Sequence, residues 1–305
     1  DLVEPDQVMK IDGVFDEDVW SQQKWLKTSV VDAEDFQNDL DRAKTLIGNA
    51  AKVNSTVRFG EKGMYVAFDV TNASGDGVFV NADRDESYNS GVELYIAQAD
   101  GQISKVKLSP SGDLYWQTRD GSSWKDYEGE VSAYLGTVAK DAAVNEDGCG
   151  GYSIELFVPA EFMTSVGFDL SALRDGTEDL LLNAVLVSSY SYDATSADRW
   201  TMGSQLDNGS SLTSSAGWYV FDGNGADIYS LSFTKTGNGE VMDMFGRDYA
   251  VANNSVTLYL KADADYMIGS CKVGTQAYTP EYGNNDFSAG TGVIPATAVQ
   301  GDLAV

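Results

Sequence analysis

The chain has 305 residues, 43% of them hydrophobic, with 47 Asp and Glu against 20 Lys and Arg and no histidine. That apolar share supports a sizeable core and more than one β domain, which a disordered acidic tail would not have. A net charge of −27 repels nucleic acid and disfavours anionic membranes and anionic polysaccharides, whereas a neutral glycan is indifferent to it.

The predicted elements are nearly all strands. A helix is expected within residues 35–47, where Phe36, Leu40, Ala43 and Ile47 share one face, Asp35 stands near the start and Gly48 follows the end. Residues 57–70, VRFGEKGMYVAFDV, alternate like a hairpin whose turn lies at Gly60–Gly63. GVELYIA at 91–97 repeats the alternation. Residues 104–108 and 113–117 form a further hairpin around the turn sequence SPSG. Strands follow at 152–158, 180–188 and 218–221. Many short strands between Gly, Asp, Asn and Ser turns predict an all-β, antiparallel β-sandwich, jelly-roll-like, with one helical insertion.

The pattern changes at DGNGAD, residues 222–227. An EF-hand reading of that run fails, because Ala226 stands where a third oxygen ligand belongs and Phe233 where the closing Glu belongs, so a plain turn is expected. The expected domains are 1–222, the sandwich, and 223–305, a small β-rich C-terminal lobe.

Catalysis has little to draw on. Without histidine there is no usual general base, no histidine-dependent triad, no ordinary axial haem ligand and few zinc sites. A glycosidase-type carboxylate pair remains chemically open, yet nothing in the sequence selects one. Cys149 and Cys271 lack CxxC spacing, which excludes a metal cluster and leaves their pairing open. No apolar run reaches membrane-spanning length, so no membrane insertion is expected. The opening at Asp1 without an apolar leader and the strand-like close GDLAV are expected cut points in a longer protein.

IDGVFDEDVWSQ near the start resembles the opening of family 9 carbohydrate-binding modules. STVRFGEKGMYVAFDVTN, SGVELYIAQ, KVKLSPSG, GGYSIELFVPAEFM, LNAVLVSSYS, DRW and GWYVFD then follow in the family's order, over about residues 8–222. The resemblance implies a β-sandwich that binds glycans, often at chain ends, and holds structural calcium. The later segments SFTKTGNGEV, NNSVTLYLKADADYMIGSCKVGTQ and GTGVIPATAVQGDLAV resemble bacterial surface repeats of the B-repeat type, usually spacers. Together these imply a secreted or cell-surface bacterial protein, part of a larger multidomain assembly. The architecture is also similar to starch-adherence proteins of gut amylosomes.

Sugars are held by aromatic rings against their C–H faces and by polar side chains on their hydroxyls. The resemblance places a stacking ring at Trp200, with Arg199 beside it for hydroxyls. Tyr88 lies one residue from the family's second stacking Trp, whose place Ser87 takes. Asn89 and Glu93 are further hydroxyl partners, and Lys107 matches a sugar-contacting Arg. Lys107 alternates with Val106 and Leu108, so it is expected off the core and exposed. Tyr115 and Trp116 must face opposite ways on a strand. Trp116 and Trp124, with Gln117 and Arg119, are candidates to extend a groove. Tyr190 and Tyr192 share one strand face leading toward Trp200. Trp20, Trp25 and Trp218 are expected to be packing residues. Asp12, Asp16, Asp83 and Asp85 are the loop carboxylates where the resemblance implies calcium, no other cofactor being expected. The expected function is non-catalytic binding of a neutral glucan, starch-type α-glucan before cello- or xylo-oligosaccharide ends. The alternative is a structural or adhesive domain with no sugar site.

Overall fold

The computed structural model describes residues 4–30, 39–71, 88–98, 101–108, 114–120, 123–126, 136–138, 151–189, 191, 193, 195, 197–201, 218–235, 237–282 and 289–305. In chain order the elements begin with α1 Pro5–Val8, α2 Asp18–Ser21, β1 Leu26–Val30, α3 Leu40–Asn49, β2 Ala51–Phe59, β3 Gly63–Thr71, β4 Gly91–Ala97 and β5 Ile103–Leu108. Then come β6 Leu114–Asp120, β7 Ser123–Asp126, β8 Gly136–Val138, β9 Gly151–Pro159, α4 Ala160–Ser165, α5 Leu170–Arg174, β10 Leu180–Ser189, β11 Ala197–Thr201, β12 Tyr219–Asp222 and β13 Gly225–Ala226. The C-terminal part adds β14 Ile228–Ser232, β15 Gly239–Asp243, β16 Tyr249–Val251, β17 Val256–Ala262, β18 Cys271–Val273, β19 Gln276–Tyr278, β20 Glu281–Tyr282, β21 Ala289–Ile294 and β22 Leu303–Ala304.

Two antiparallel sheets carry the first part. One runs β1-β2-β3-β9-β8; the other runs β13-β12-β10-β4-β5-β6-β7, with β11 also paired to β10. Period-2 alternation sends one set of side chains from each sheet into a shared core. Val57, Phe59, Val66, Phe68, Ile154 and Leu156 come from the smaller sheet. Val92, Leu94, Ile96, Val106, Leu182, Ala184 and Phe221 come from the larger. The all-β sandwich expected from the strand pattern is therefore present.

The N-terminal segment covers the outer face of the smaller sheet. Trp20 packs there with Tyr65 and Ala67, joined by Ile11, Phe15, Trp25 and Phe157. Its anchor is Glu155 on β9, whose side chain is wholly buried. One carboxylate oxygen of Glu155 accepts from the Asp12 and Gly13 amides, each at 2.9 Å. The other accepts from Trp20 Nε1 at 2.7 Å. The opening IDG…W pattern thus has a local physical reason: a tight turn and an indole aimed at one carboxylate.

The C-terminal part forms a four-stranded sheet β15-β17-β21-β20, a three-stranded sheet β16-β14-β22 and the β18–β19 hairpin. Tyr249 and Val251 belong to the same apolar cluster as the sandwich core. Tyr249 Oη donates to the Lys27 carbonyl at 2.6 Å, and Asn254 Nδ2 donates to the Trp218 carbonyl at 3.3 Å. A buried ion pair, Arg247 Nε to Asp243 Oδ2 at 3.3 Å, sits beside these contacts. DGNGAD is a turn between β12 and β13, with Asp222 Oδ1 accepting from the Asn224 amide at 2.7 Å, as expected of a plain turn.

The helix differs from expectation at both ends. α3 is capped by Asp39, whose carboxylate accepts from Asp41 N and Arg42 N, and it runs through Gly48 to Asn49. Asp39 wins as cap because its side chain reaches two otherwise orphaned amides. Phe36 lies outside the described residues. Leu40 and Ala43 pack against Met244, Phe245 and Tyr259 of the C-terminal part.

Candidate functional site

The outer face of the larger sheet is the unusual surface of the sandwich. On β4 the inward set is Val92, Leu94 and Ile96, so Glu93, Tyr95 and Ala97 project the other way. The ladders place Glu93 between Val185 of β10 and Lys107 of β5. One step along the same face, Tyr95 lies between Asn183 and Lys105. A charged pair, Glu93–Lys107, and a polar row, Asn183–Tyr95–Lys105, therefore lie side by side on this face, roughly 7 Å apart along the strand direction.

Aromatic rings frame these rows. Tyr95 meets Trp124 of β7 edge-on at 5.8 Å and 71°, and Trp218 at 6.2 Å and 75°. Lys105 Nζ stands 4.5 Å from the Trp124 ring centroid, a cation–π contact. Tyr95 Oη donates to Glu93 Oε2 at 2.7 Å. Lys107 Nζ donates to the Asn89 carbonyl at 3.2 Å, which ties the segment carrying Tyr88 to the sheet. Glu93 and Lys107 are each 1% exposed, Trp124 is half-buried and Tyr88 is exposed. Glu93 and Lys107 stand at one register position and each has a hydrogen-bond partner, as buried charge requires.

The predicted residues fall as follows. Lys107 is buried, which corrects the expectation of an exposed strand lysine. The core-facing side of its strand is not its only covered side, since Ile103 and Lys105 on its own side are buried too. Asn89 is likewise buried and engages Lys107 through its carbonyl. Trp116 sits at the register position opposite Val106, a core residue, while Tyr115 sits opposite Lys107. In β11, Trp200 pairs with Leu186 and Arg199 with Val187; the side chains of Tyr115, Trp116, Arg199 and Trp200 lie outside the described ones. Tyr190, Tyr192, Asp83 and Asp85 also lie outside them. Trp20 is buried and packs as expected; Trp25 is half-buried beside it.

Asp12 Oδ1 accepts from the Val14 amide at 3.0 Å, an Asx turn, and Asp16 is exposed. Among the described residues no group of three or more His, Cys, Asp or Glu is gathered for a metal ion. Cys271 is a free, buried thiol whose pKa burial pushes up. No described helix is long and apolar enough to cross a membrane. Sequence reasoning passed over Tyr95, Lys105 and Asn183, and it placed Trp218 in the sandwich core. The alternation in GVELYIA already set Tyr95 on the face of Glu93. The signal that Lys105 joins them is the ladder, which only pairing reveals.

No family model and no curated protein matches the chain. A crystal structure from Bacteroides uniformis, described as that of a candidate carbohydrate-binding protein, is similar at 10% identity and a TM-score of 0.49. That likeness covers 66% of this chain and 87% of the other.

Proposed function

We propose that this chain is a non-catalytic carbohydrate-binding protein that holds a neutral glycan at the outer face of the larger sheet. The observation that carries the reading is the half-buried Trp124 ring on β7, packed edge-on against Tyr95 and under Lys105, with the segment that carries exposed Tyr88 tied to the same sheet through Lys107. Rings offer stacking surfaces for sugar C–H faces, and the buried Tyr95, Lys105 and Lys107 hold Trp124 and the Tyr88 segment in place. A net charge of −27 favours an uncharged ligand over an anionic one. The finer reading is a starch-type α-glucan bound by a secreted or surface-attached bacterial protein, in keeping with the family resemblance and the spread of aromatic rings.

The test is retention of the purified protein on insoluble starch, cellulose and xylan, with and without EDTA, for wild type and Trp124→Ala. Retention on starch that Trp124→Ala lowers about tenfold or more supports the reading. Retention on cellulose or xylan in place of starch replaces the ligand. Absence of retention on all three, or indifference to Trp124→Ala, removes the site. Sensitivity to EDTA would bring in the calcium that the resemblance implies.

A further inference from the structure

We infer that the C-terminal part carries a second binding site, a cleft that takes an extended acidic segment of a partner polypeptide by strand addition. The cleft has a volume of about 580 Å³, within the range of ordinary ligand pockets. Its walls include half-buried Phe233, Val241, Leu260 and Ile268, with Met267 exposed at the mouth. β15 is an edge strand of its sheet among the described strands. Met244 N donates to the Thr257 carbonyl and Asp263 N to the Asn238 carbonyl. In that register the amide and carbonyl of Val241 turn away from β17, so they are free to pair with an added strand. A Cβ at Gly237 or Gly269 would meet no atom within 4 Å, so neither position is crowded by the described residues.

Charge selects the occupant. Glu240 and Lys261 of this sheet are engaged by Lys44 and Asp41 of α3. Lys235 and Lys272, both exposed, line the cleft without a carboxylate partner among the described residues; Lys235 Nζ donates to the Gly239 carbonyl at 2.7 Å. A cationic rim on a chain with 47 acidic and 20 basic residues is a local reversal of sign. It complements an acidic strand whose alternate apolar side chains enter the apolar walls.

The experiment is fluorescence anisotropy on the full chain with a labelled peptide of about six residues, a usual strand length, alternating Val and Glu. A Val/Lys peptide serves as its opposite. The acidic peptide should bind about tenfold or more tighter than the basic one, and the Lys235→Glu/Lys272→Glu double variant should invert that preference. Equal affinity for the two peptides, no binding of the acidic one, or an unchanged preference in the double variant overturns the assignment. A dimer seen by light scattering and dissolved by the same double variant also overturns it, giving the cleft to a second copy. Both lysines are exposed, so the double variant should melt like wild type and keep its glycan retention; loss of that retention refutes a separate second site.

Discussion

Replacing Glu155 by Ala tests the argument about the N-terminal segment most directly. The carboxylate is wholly buried and is the acceptor for Asp12 N, Gly13 N and Trp20 Nε1, at 2.9, 2.9 and 2.7 Å. Alanine strands three donors beneath packed aromatic rings. At about 1 to 3 kcal/mol for each stranded buried donor, with some relief from entering water, the loss should be about 4 kcal/mol. For a chain of this size that is roughly 8 °C in Tm, at about 2 °C per kcal/mol. Burial raises the pKa of Glu155, and the three donors only partly oppose that. The folded state therefore holds the Glu155 proton more tightly than the unfolded chain does. The stability this supplies is fully present below the unfolded value and is lost as pH rises through the folded one. Glu155→Gln keeps one acceptor oxygen but sets its NH2 against the donor at the other position, so it should cost less than Ala while still destabilising. The assay is thermal unfolding by circular dichroism from about pH 3 to about pH 8, which begins below the ordinary carboxylate value and runs well above it. A loss under about 1 kcal/mol for Glu155→Ala, or Gln as harmful as Ala, would refute the reasoning.

Arg247→Met removes one half of a buried ion pair and leaves Asp243 charged and uncompensated, for a loss of about 3 to 5 kcal/mol by urea unfolding. The Asp243→Asn/Arg247→Met double variant should lose less than the sum of the two single changes. Gly225→Ala should cost about 2 kcal/mol or more in the same assay, because φ there is +96° and an added Cβ would meet the Lys24 carbonyl at 2.7 Å. Tyr95→Phe withdraws a donor from buried Glu93 and should lower stability by about 1.5 kcal/mol; calorimetry on any glycan found to bind should show weaker affinity.

Much of the fold was legible in the sequence, because alternation is a local property. The β2–β3 and β5–β6 hairpins, β4, β9, β10 and the DGNGAD turn follow from period-2 patterning and turn residues within a few positions of each other. The role of Trp20 as a packing residue was also legible. The start of α3 was less so: both Asp35 and Asp39 are plausible caps by type, and the reach of Asp39 to two amides decides.

The candidate site belongs to the tertiary structure. Alternation alone says that Lys107 leaves the core, and solvent is then the default expectation. It cannot say that Glu93 will stand opposite it, or that both will be covered. Likewise only the register shows that position 115 pairs with Lys107 and position 116 with Val106. Sequence determines which residues alternate and where the chain turns, since those depend on neighbours along the backbone. Which charges meet across a sheet, which carboxylate receives the indole of Trp20, and which strand stands at a sheet edge depend on pairings between distant segments, and only the folded chain decides them.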